Sequence, residues 1–284
     1  MQVITTKQEL TRQVEACIRQ QKTIGFVPTM GALHQGHASL VQRAVAENDV
    51  AIVSVFVNPT QFNNPEDLQK YPRTLNQDVE LLTQLGVHFV FAPTAEEMYS
   101  SEELNTSFSF DFNGLDQVME GKMRPGHFNG VVQVVSRLFD LVKPTRAYFG
   151  EKDFQQLAII RHMVTTSSLA QQYTNLQIIG CPIVREDSGL ALSSRNQRLS
   201  ETEKQTAVAI SQTLFTSLKW AETDTVANVQ QRVIDAINAI NGLEVEYYEI
   251  VDRTTLQPTD TFQNAIGCIT VYCGPVRLID NIQY

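Results

Sequence analysis

Cysteine is scarce in this sequence. Its 284 residues include four, Cys17, Cys181, Cys268 and Cys273, and no two form a Cys-x-x-Cys pair. That excludes a disulfide framework, and the thiols read as small buried hydrophobes. Cys268 and Cys273 stand at odd spacing, so on one strand they would face opposite sides. Positive charge is also short, with 22 Lys and Arg against 31 Asp and Glu, a net charge of −9. Without a basic footprint, diffuse nucleic-acid binding is excluded. No apolar run approaches the length that spans a bilayer, and Met1 to Lys7 shows no charged start leading into an apolar stretch. The expected address is therefore cytoplasmic, with no membrane partner. Gly 14 and Pro 10 are too few for a fibrous chain. Three signatures are missing as well: the Gly-x-x-x-x-Gly-Lys-[Ser/Thr] P-loop, the Gly-x-Gly-x-x-Gly fingerprint and the Gly-x-Ser-x-Gly nucleophile elbow. What remains is 43% hydrophobic and 19% charged, an ordinary globular balance with length enough for two domains.

Helical and strand patterns alternate through the first two thirds. Thr6-Lys7-Gln8-Glu9 is a capping-box signature that opens an amphipathic helix to about residue 20. A short apolar strand over 23–27 is expected to stop at Pro28. A helix over 36–47 follows, then a strand over 50–57 that is nearly all apolar, as a strand buried on both faces of a parallel sheet would be. Helix 74–85, strand 87–91, helix 127–142, strand 146–149, helix 153–165 and strand 177–181 continue the alternation. This order predicts an α/β fold with a doubly wound parallel sheet. The rhythm then changes. Ser200-Glu201-Thr202-Glu203 is a second capping box, opening a helix to about 220. A further helix covers 226–240 and ends at Asn241-Gly242, before strands at 244–251, 265–272 and 276–280. Two helices then three strands predict a second, smaller α+β domain, giving domains 1–183 and 184–284. Residues 99–130 lack a clear pattern and read as a long functional loop.

The densest polar cluster is Pro28-Thr29-Met30-Gly31-Ala32-Leu33-His34-Gln35-Gly36-His37. It lies where the first sheet strand turns into a helix, at the carboxyl edge where open α/β sheets bind ligands. Gly31 and Gly36 would let a backbone approach a phosphate, and the helix start offers N–H groups and a positive dipole end. His34 and His37 are three apart and share a helical face, so two imidazoles could donate to one phosphate chain. The bland alternative is an ordinary turn with two exposed histidines. A zinc pair would need further ligands that do not stand nearby. The His-x-Gly-His pattern after a strand resembles the nucleotide-binding signature of the nucleotidylyltransferase superfamily.

Four other clusters fall at strand ends. In Val57-Asn58-Pro59-Thr60-Gln61-Phe62, the Gln61 amide could bond a hydroxyl or carboxylate, or the string could be a plain Asn-Pro turn. Tyr71-Pro72-Arg73-Thr74 leads to Asp78, which either complements a helix dipole or contacts Mg²⁺. The glycine-rich basic run from Glu120 to Gly130 reads as a solvent loop or as a lid over anionic groups. In Phe149-Gly150-Glu151-Lys152-Asp153-Phe154-Gln155-Gln156, Lys152 opposes its own helix dipole unless an anion is near, and Gln156 lies one turn beyond it. In the second domain, the run Gly189 to Asn196 sets Ser193, Ser194 and Arg195 in a row, which suits phosphate or is a helix-leading loop with a solvated Arg.

Read together, these strings resemble the pantoate–β-alanine ligase (pantothenate synthetase) family. The matching patterns are Pro-Thr-Met-Gly-Ala-Leu-His-x-Gly-His, Phe-Val-Asn-Pro-x-Gln-Phe, Tyr-Pro-Arg-Thr, Arg-Pro-Gly-His-Phe-x-Gly-Val, Phe-Gly-Glu-Lys-Asp-x-Gln-Gln, Leu-Ala-Leu-Ser-Ser-Arg-Asn and the terminal Arg277-Leu278-Ile279-Asp280-Asn281. They run in family order across 28–281. The resemblance implies a Rossmann-like N-terminal domain that binds ATP and pantoate, a smaller C-terminal lid domain, and a homodimer. It implies that pantoate and MgATP give pantoyl-adenylate, which the β-alanine amine then attacks to give pantothenate and AMP. It assigns catalysis to His34, His37, Lys152 and Arg195. It assigns ATP binding to Met30, Gly31, Ala32, Leu33, His34, Gln35, Gly36 and His37, to Gly150, Glu151, Lys152 and Asp153, and to Val184, Leu192, Ser193, Ser194 and Arg195. Gln61 and Gln156 would bind substrate, and Asp78 the Mg²⁺. Two stretches depart from the family pattern: Thr165 to Leu169 replaces a commoner charged run, and 201–263 carries little signature. Two other readings remain: a nucleotidylyltransferase acting on a phosphorylated acceptor, and a non-catalytic adenine-nucleotide sensor.

Overall fold

The computed structural model describes residues 1–105, 108–165 and 170–284. The departure from family pattern at 165–169 lies, beyond Thr165, outside the described residues. In chain order the elements are β1 (Gln2–Ile4), α1 (Lys7–Arg19), β2 (Ile24–Thr29), α2 (Gln35–Glu47), β3 (Val50–Val55), a 3-10 turn (Pro59–Gln61), α3 (Pro65–Lys70), α4 (Leu75–Gln84), β4 (Phe89–Phe91), α5 (Ala95–Met98) and α6 (Ser101–Asn105). Then come α7 (Met119–Met123), α8 (His127–Val142), β5 (Arg146–Gly150), a 3-10 turn (Glu151–Asp153), α9 (Phe154–Thr165) and β6 (Gln177–Cys181). A 3-10 segment (Ser194–Arg198), α10 (Glu201–Ala221), α11 (Val226–Asn238), β7 (Leu243–Asp252), β8 (Ala265–Cys273) and β9 (Val276–Gln283) complete the chain.

The chain divides into two compact units. The first is Met1–Asn113, Arg124–Gly150 and Ile159–Cys181; the second is Gly114–Met123, Glu151–Ala158 and Pro182–Tyr284.

In the first unit, six strands among the described residues form a parallel sheet in the order β1-β4-β3-β2-β5-β6. Crossover helices cover such a sheet on both faces, which explains the unbroken apolar run of β3: Ala51, Ile52 and Val53 are fully buried. The order reverses between β2 and β5. Their pairing covers only Gly25 with Arg146 and Phe26 with Ala147, after which the two strands part. That parting is the switch point at which doubly wound sheets open a crevice.

β2 does not stop before Pro28, as the sequence suggested, but runs on to Thr29 in register with Val55. The reason lies in the alternation of a parallel ladder. The Thr23 and Thr29 carbonyls accept from Val50 and Phe56 on the β3 side, while Ile24 O accepts from Thr145 on the β5 side. Pro28 therefore faces β5, which has already diverged, and its missing N–H is not required there. The expected capping box at α1 is half formed. Thr6 Oγ1 accepts the Glu9 amide, but the Glu9 carboxylate is taken by Arg12 and Gln13. The second box is complete, with Ser200 and Glu203 each bonding the other's main-chain N–H.

The second unit packs β7-β8-β9, all antiparallel, with α10 and α11 around a core that includes Leu214, Val229, Val233, Ile269 and Val271. The stretch 99–130, expected as a long functional loop, is partly helical among its described residues. It carries α6, α7 and the start of α8, and its segment 114–123 belongs to this second unit. Glu120 fixes that segment. Its carboxylate takes Arg277 Nη2 at 2.6 Å and Nη1 at 2.8 Å, Tyr247 Oη at 2.9 Å and Thr270 Oγ1 at 3.1 Å. Arg277 also pairs with Glu246. Burial, and then the Glu120 charge, pushes the Tyr247 phenol well above its usual range, which keeps it a hydrogen-bond donor.

Candidate active site

In the first unit, the site grows from the carboxyl end of β2. The turn after Thr29 needs two successive left-handed residues, Gly31 at φ +81° and Ala32 at φ +50°. Glycine adopts this freely; alanine is strained there unless its surroundings hold it. The surroundings are Asp78, 2% exposed, on α4. Its Oδ2 accepts the Ala32 N–H at 3.1 Å and its Oδ1 accepts the Leu33 N–H at 2.8 Å and the Thr74 hydroxyl at 3.3 Å. Thr29 Oγ1 takes the Gly31 N–H at 3.2 Å and donates to Ser54 O at 2.7 Å.

α2 then begins on its own histidines. His34 is the N-cap; its Nδ1 accepts the Gly36 N–H at 3.1 Å, and His37 Nδ1 accepts the His34 N–H at 3.3 Å. The ring centroids lie 4.1 Å apart. This reciprocal cap has a chemical consequence. A ring nitrogen that accepts a hydrogen bond carries no proton, so in each neutral imidazole the hydrogen sits on Nε2. The sequence predicted two N–H donors on one face; the cap is what selects the nitrogen that bears them. Met30 and Gln35 flank the turn, Met30 half-buried and Gln35 exposed at the first position of α2.

Gln61 is 8% exposed and closely directed. Its Oε1 accepts from Asn58 Nδ2 at 3.0 Å, and its Nε2 donates to Met30 Sδ at 3.3 Å. His127 Nδ1 meets the Gln61 carbonyl at 2.8 Å. Asn58, 1% exposed, also donates to Gly130 O at 3.1 Å and accepts from Tyr99 Oη at 2.8 Å. Gly130 packs so close to this turn that a Cβ would stand 2.4 Å from Thr60 O, which is why the Arg-Pro-Gly-His-Phe-x-Gly string must end in glycine there. Sequence reasoning read Asn58 only as a turn residue and gave His127 no role; both hold Gln61 in place.

In the second unit, Lys152 occupies the 3-10 turn Glu151–Asp153 rather than the first turn of α9. Its ammonium lies 3.2 Å from Asp153 Oδ2, and its side chain is 17% exposed. Gln156 follows on α9, half-buried. Val184 O accepts the Leu192 N–H at 3.0 Å, closing a narrow loop whose flanks pair at Arg185 and Ala191. Ser193 Oγ accepts the Arg195 N–H at 3.2 Å and so caps the 3-10 segment that carries Ser194 and Arg195. The expected residues thus fall into two sets. Met30 to His37, Gln61, Asp78 and Gly150 lie in the first unit; Glu151 to Asp153, Gln156, Val184 and Leu192 to Arg195 lie in the second.

Mg²⁺ finds no ready protein cage. Among the described residues, no three His, Cys, Asp or Glu side chains gather to hold a metal. Both Asp78 oxygens already accept main-chain N–H bonds. Asp78→Asn, which keeps one acceptor for two amides, is expected to lower stability by about 1–3 kcal/mol, the cost of leaving a buried donor unmet. A thermal melt checks this. An unchanged melting temperature with a raised Mg²⁺ requirement would assign Asp78 to the metal instead.

Among the described residues, no helix is long and apolar enough to cross a membrane. The family model for Pantoate-beta-alanine ligase matches residues 2–283. The pantothenate synthetase of Phocaeicola vulgatus is 59% identical, covering 100% of this chain and 99% of its own. The crystal structure of pantothenate synthetase from Thermus thermophilus superposes with TM-score 0.91 at 40% identity, covering 100% of this chain and 99% of that one. A pantoate-beta-alanine ligase from Francisella tularensis, complexed with Beta-gamma ATP and Beta-alanine, gives TM-score 0.83 at 37% identity, covering 100% and 97%. With the sheet, the histidine-capped turn and these matches together, the chain belongs to the pantoate-beta-alanine ligase family.

Proposed function

We propose that this enzyme joins pantoate to β-alanine through a pantoyl-adenylate, releasing pyrophosphate and AMP. The observation that carries the reading is the reciprocal His34–His37 cap, which sets two Nε2–H donors at a helix N-terminus beside the sheet's switch point. In the first step a pantoate carboxylate oxygen attacks the α-phosphorus of ATP, and the bond to the bridging oxygen of pyrophosphate breaks. Negative charge then grows on the departing pyrophosphate. His34 and His37 donate to it, aided by the dipole of α2; Lys152 and Arg195 neutralise it further, and the Ser193 and Ser194 hydroxyls donate hydrogen bonds. Gln61, its amide oriented by Asn58, bonds the hydroxyl or carboxylate of pantoate through Nε2–H without adding charge, and Gln156 shares this task. In the second step the β-alanine amine attacks the acyl carbon, AMP leaves, and the amine proton is lost to solvent or a phosphate oxygen. The reaction needs no covalent nucleophile from the chain, because ATP supplies the leaving group. Mg²⁺ enters as part of the MgATP substrate.

Support comes from the family membership and from the complexed Francisella ligase. The decisive measurement is isotope exchange between ATP and pyrophosphate. Pantoate alone should sustain exchange, and AMP should accumulate stoichiometrically only when β-alanine is added. Exchange that required β-alanine would remove the adenylate from the pathway.

A further inference from the structure

The Arg277-Leu278-Ile279-Asp280-Asn281 string takes no part in the reaction described above, yet it places two polar side chains in the interior. Asp280 is 5% exposed and Asn281 7%. Buried polar groups are costly unless paired, so their partners indicate their purpose. Asn281 Nδ2 donates to Glu151 O at 2.8 Å and to Lys152 O at 3.0 Å. Both of its amide hydrogens are thus spent on two successive carbonyls of the one turn that carries Lys152. A 3-10 turn this short is poorly held by its own hydrogen bonds and benefits from an outside grip.

Asp280 anchors the neighbouring position. Its Oδ2 takes Arg185 Nη1 at 2.6 Å and its Oδ1 takes Arg185 Nη2 at 2.8 Å, a bidentate pair of the strong kind. Its Oδ1 also accepts the Asn281 N–H at 2.8 Å. Arg185 Nη1 reaches Gly189 O at 3.3 Å, within the loop that Val184 and Leu192 close. β9 itself is locked in the sheet, with Asp280 opposite Ile269 and Asn281 opposite Cys268. Every group in this chain of contacts belongs to the second unit.

We propose that Asn281 is a positioning residue for the reaction: it fixes the Glu151–Asp153 turn, and thereby the Lys152 ammonium, while the Asp280–Arg185 clamp holds Asn281 in register. This rests on the reading of Lys152 as a phosphate partner. A charge-stabilising group loses effect steeply when displaced, so Asn281→Ala should cut kcat by roughly 10- to 100-fold with little change in the KM for pantoate. Asn281→Asp keeps the volume, removes both donors and sets an acceptor against two carbonyls, so it should be at least as slow.

The test is a double-mutant cycle with Lys152→Ala, read by pantoate-dependent ATP–pyrophosphate exchange, with a melting curve for each variant. If Asn281 acts through Lys152, adding Asn281→Ala to Lys152→Ala costs less than about twofold more. If Asn281→Ala does not fold, Asn281→Asp carries the comparison. Losses that multiply across the two sites overturn the proposal while leaving Lys152 its role. A near-normal Lys152→Ala enzyme removes the reading of Lys152 and this inference with it. Full activity in Asn281→Asp overturns the inference alone.

Discussion

Replacing Lys152 by alanine is expected to reduce turnover by roughly 100-fold or more, the scale of losing one group aimed at developing charge. The fold should be nearly unaffected. The ammonium's ion partner is Asp153, 45% exposed and adjacent in sequence, and a pair of that kind contributes less than about 1 kcal/mol. The main chain of the turn keeps its two bonds from Asn281 whatever side chain residue 152 carries. A large kinetic effect with a small thermal one would therefore mark a group placed for chemistry. Steady-state turnover and a thermal melt on the same preparation decide it, and near-normal turnover would remove Lys152 from the reaction.

His34→Asn and His37→Asn should separate the two half-reactions. Each imidazole does two things: its Nδ1 closes the cap of α2, and that acceptor role leaves the proton of the neutral ring on Nε2. Asparagine is a good helix cap, and its side-chain oxygen can replace the Nδ1 acceptor, but nothing on it reaches as far as Nε2. Pantoyl-adenylate formation should slow by roughly 100-fold, as when one donor to a developing oxyanion is lost. Attack of β-alanine on preformed adenylate should be almost unchanged, since pyrophosphate leaves only in the first step. Single-turnover measurement of each half decides. Equal slowing of both would show that the histidines shape the site generally, and loss to a chelator that zinc restores would show a metal pair.

The sheet was legible because its causes are local. Alternating apolar helices and strands, the unbroken apolar run of β3 and two capping signatures need only neighbours in sequence. β1 was not anticipated: three residues are too few for a period-2 pattern to register. The strand across Pro28 was misread because its tolerance depends on β5 diverging, a fact about residues more than a hundred positions away. The candidate site divides along the same line. His34, His37, Gln61 and Lys152 stand in short strings from which a role can be proposed. The groups that aim them cannot be read that way. Asn58, three residues from the Gln61 it orients, is itself held by Gly130; Asp78 works through Ala32 and Leu33, and Asn281 through the Lys152 turn, and each of these supports spans 45 residues or more.

The Glu120–Arg277 pair spans 157 positions of chain. During synthesis, the segment with Glu120 and the turn with Lys152 are both made well before β9 exists to receive them. Until then the Glu120 carboxylate lacks its guanidinium and the Lys152 turn lacks its amide grip. The second unit is therefore discontinuous in time as well as in sequence, with two early segments waiting on a strand still to be translated. Closing so long a loop adds little to the equilibrium cost, which grows only with the logarithm of length, but it delays assembly, as non-local pairing does. The first unit's β1 to β4 can meanwhile pair from residues already made. The turn that carries Lys152 would accordingly be among the last parts of the molecule to be held in place, after most of the parallel sheet has had its strands made.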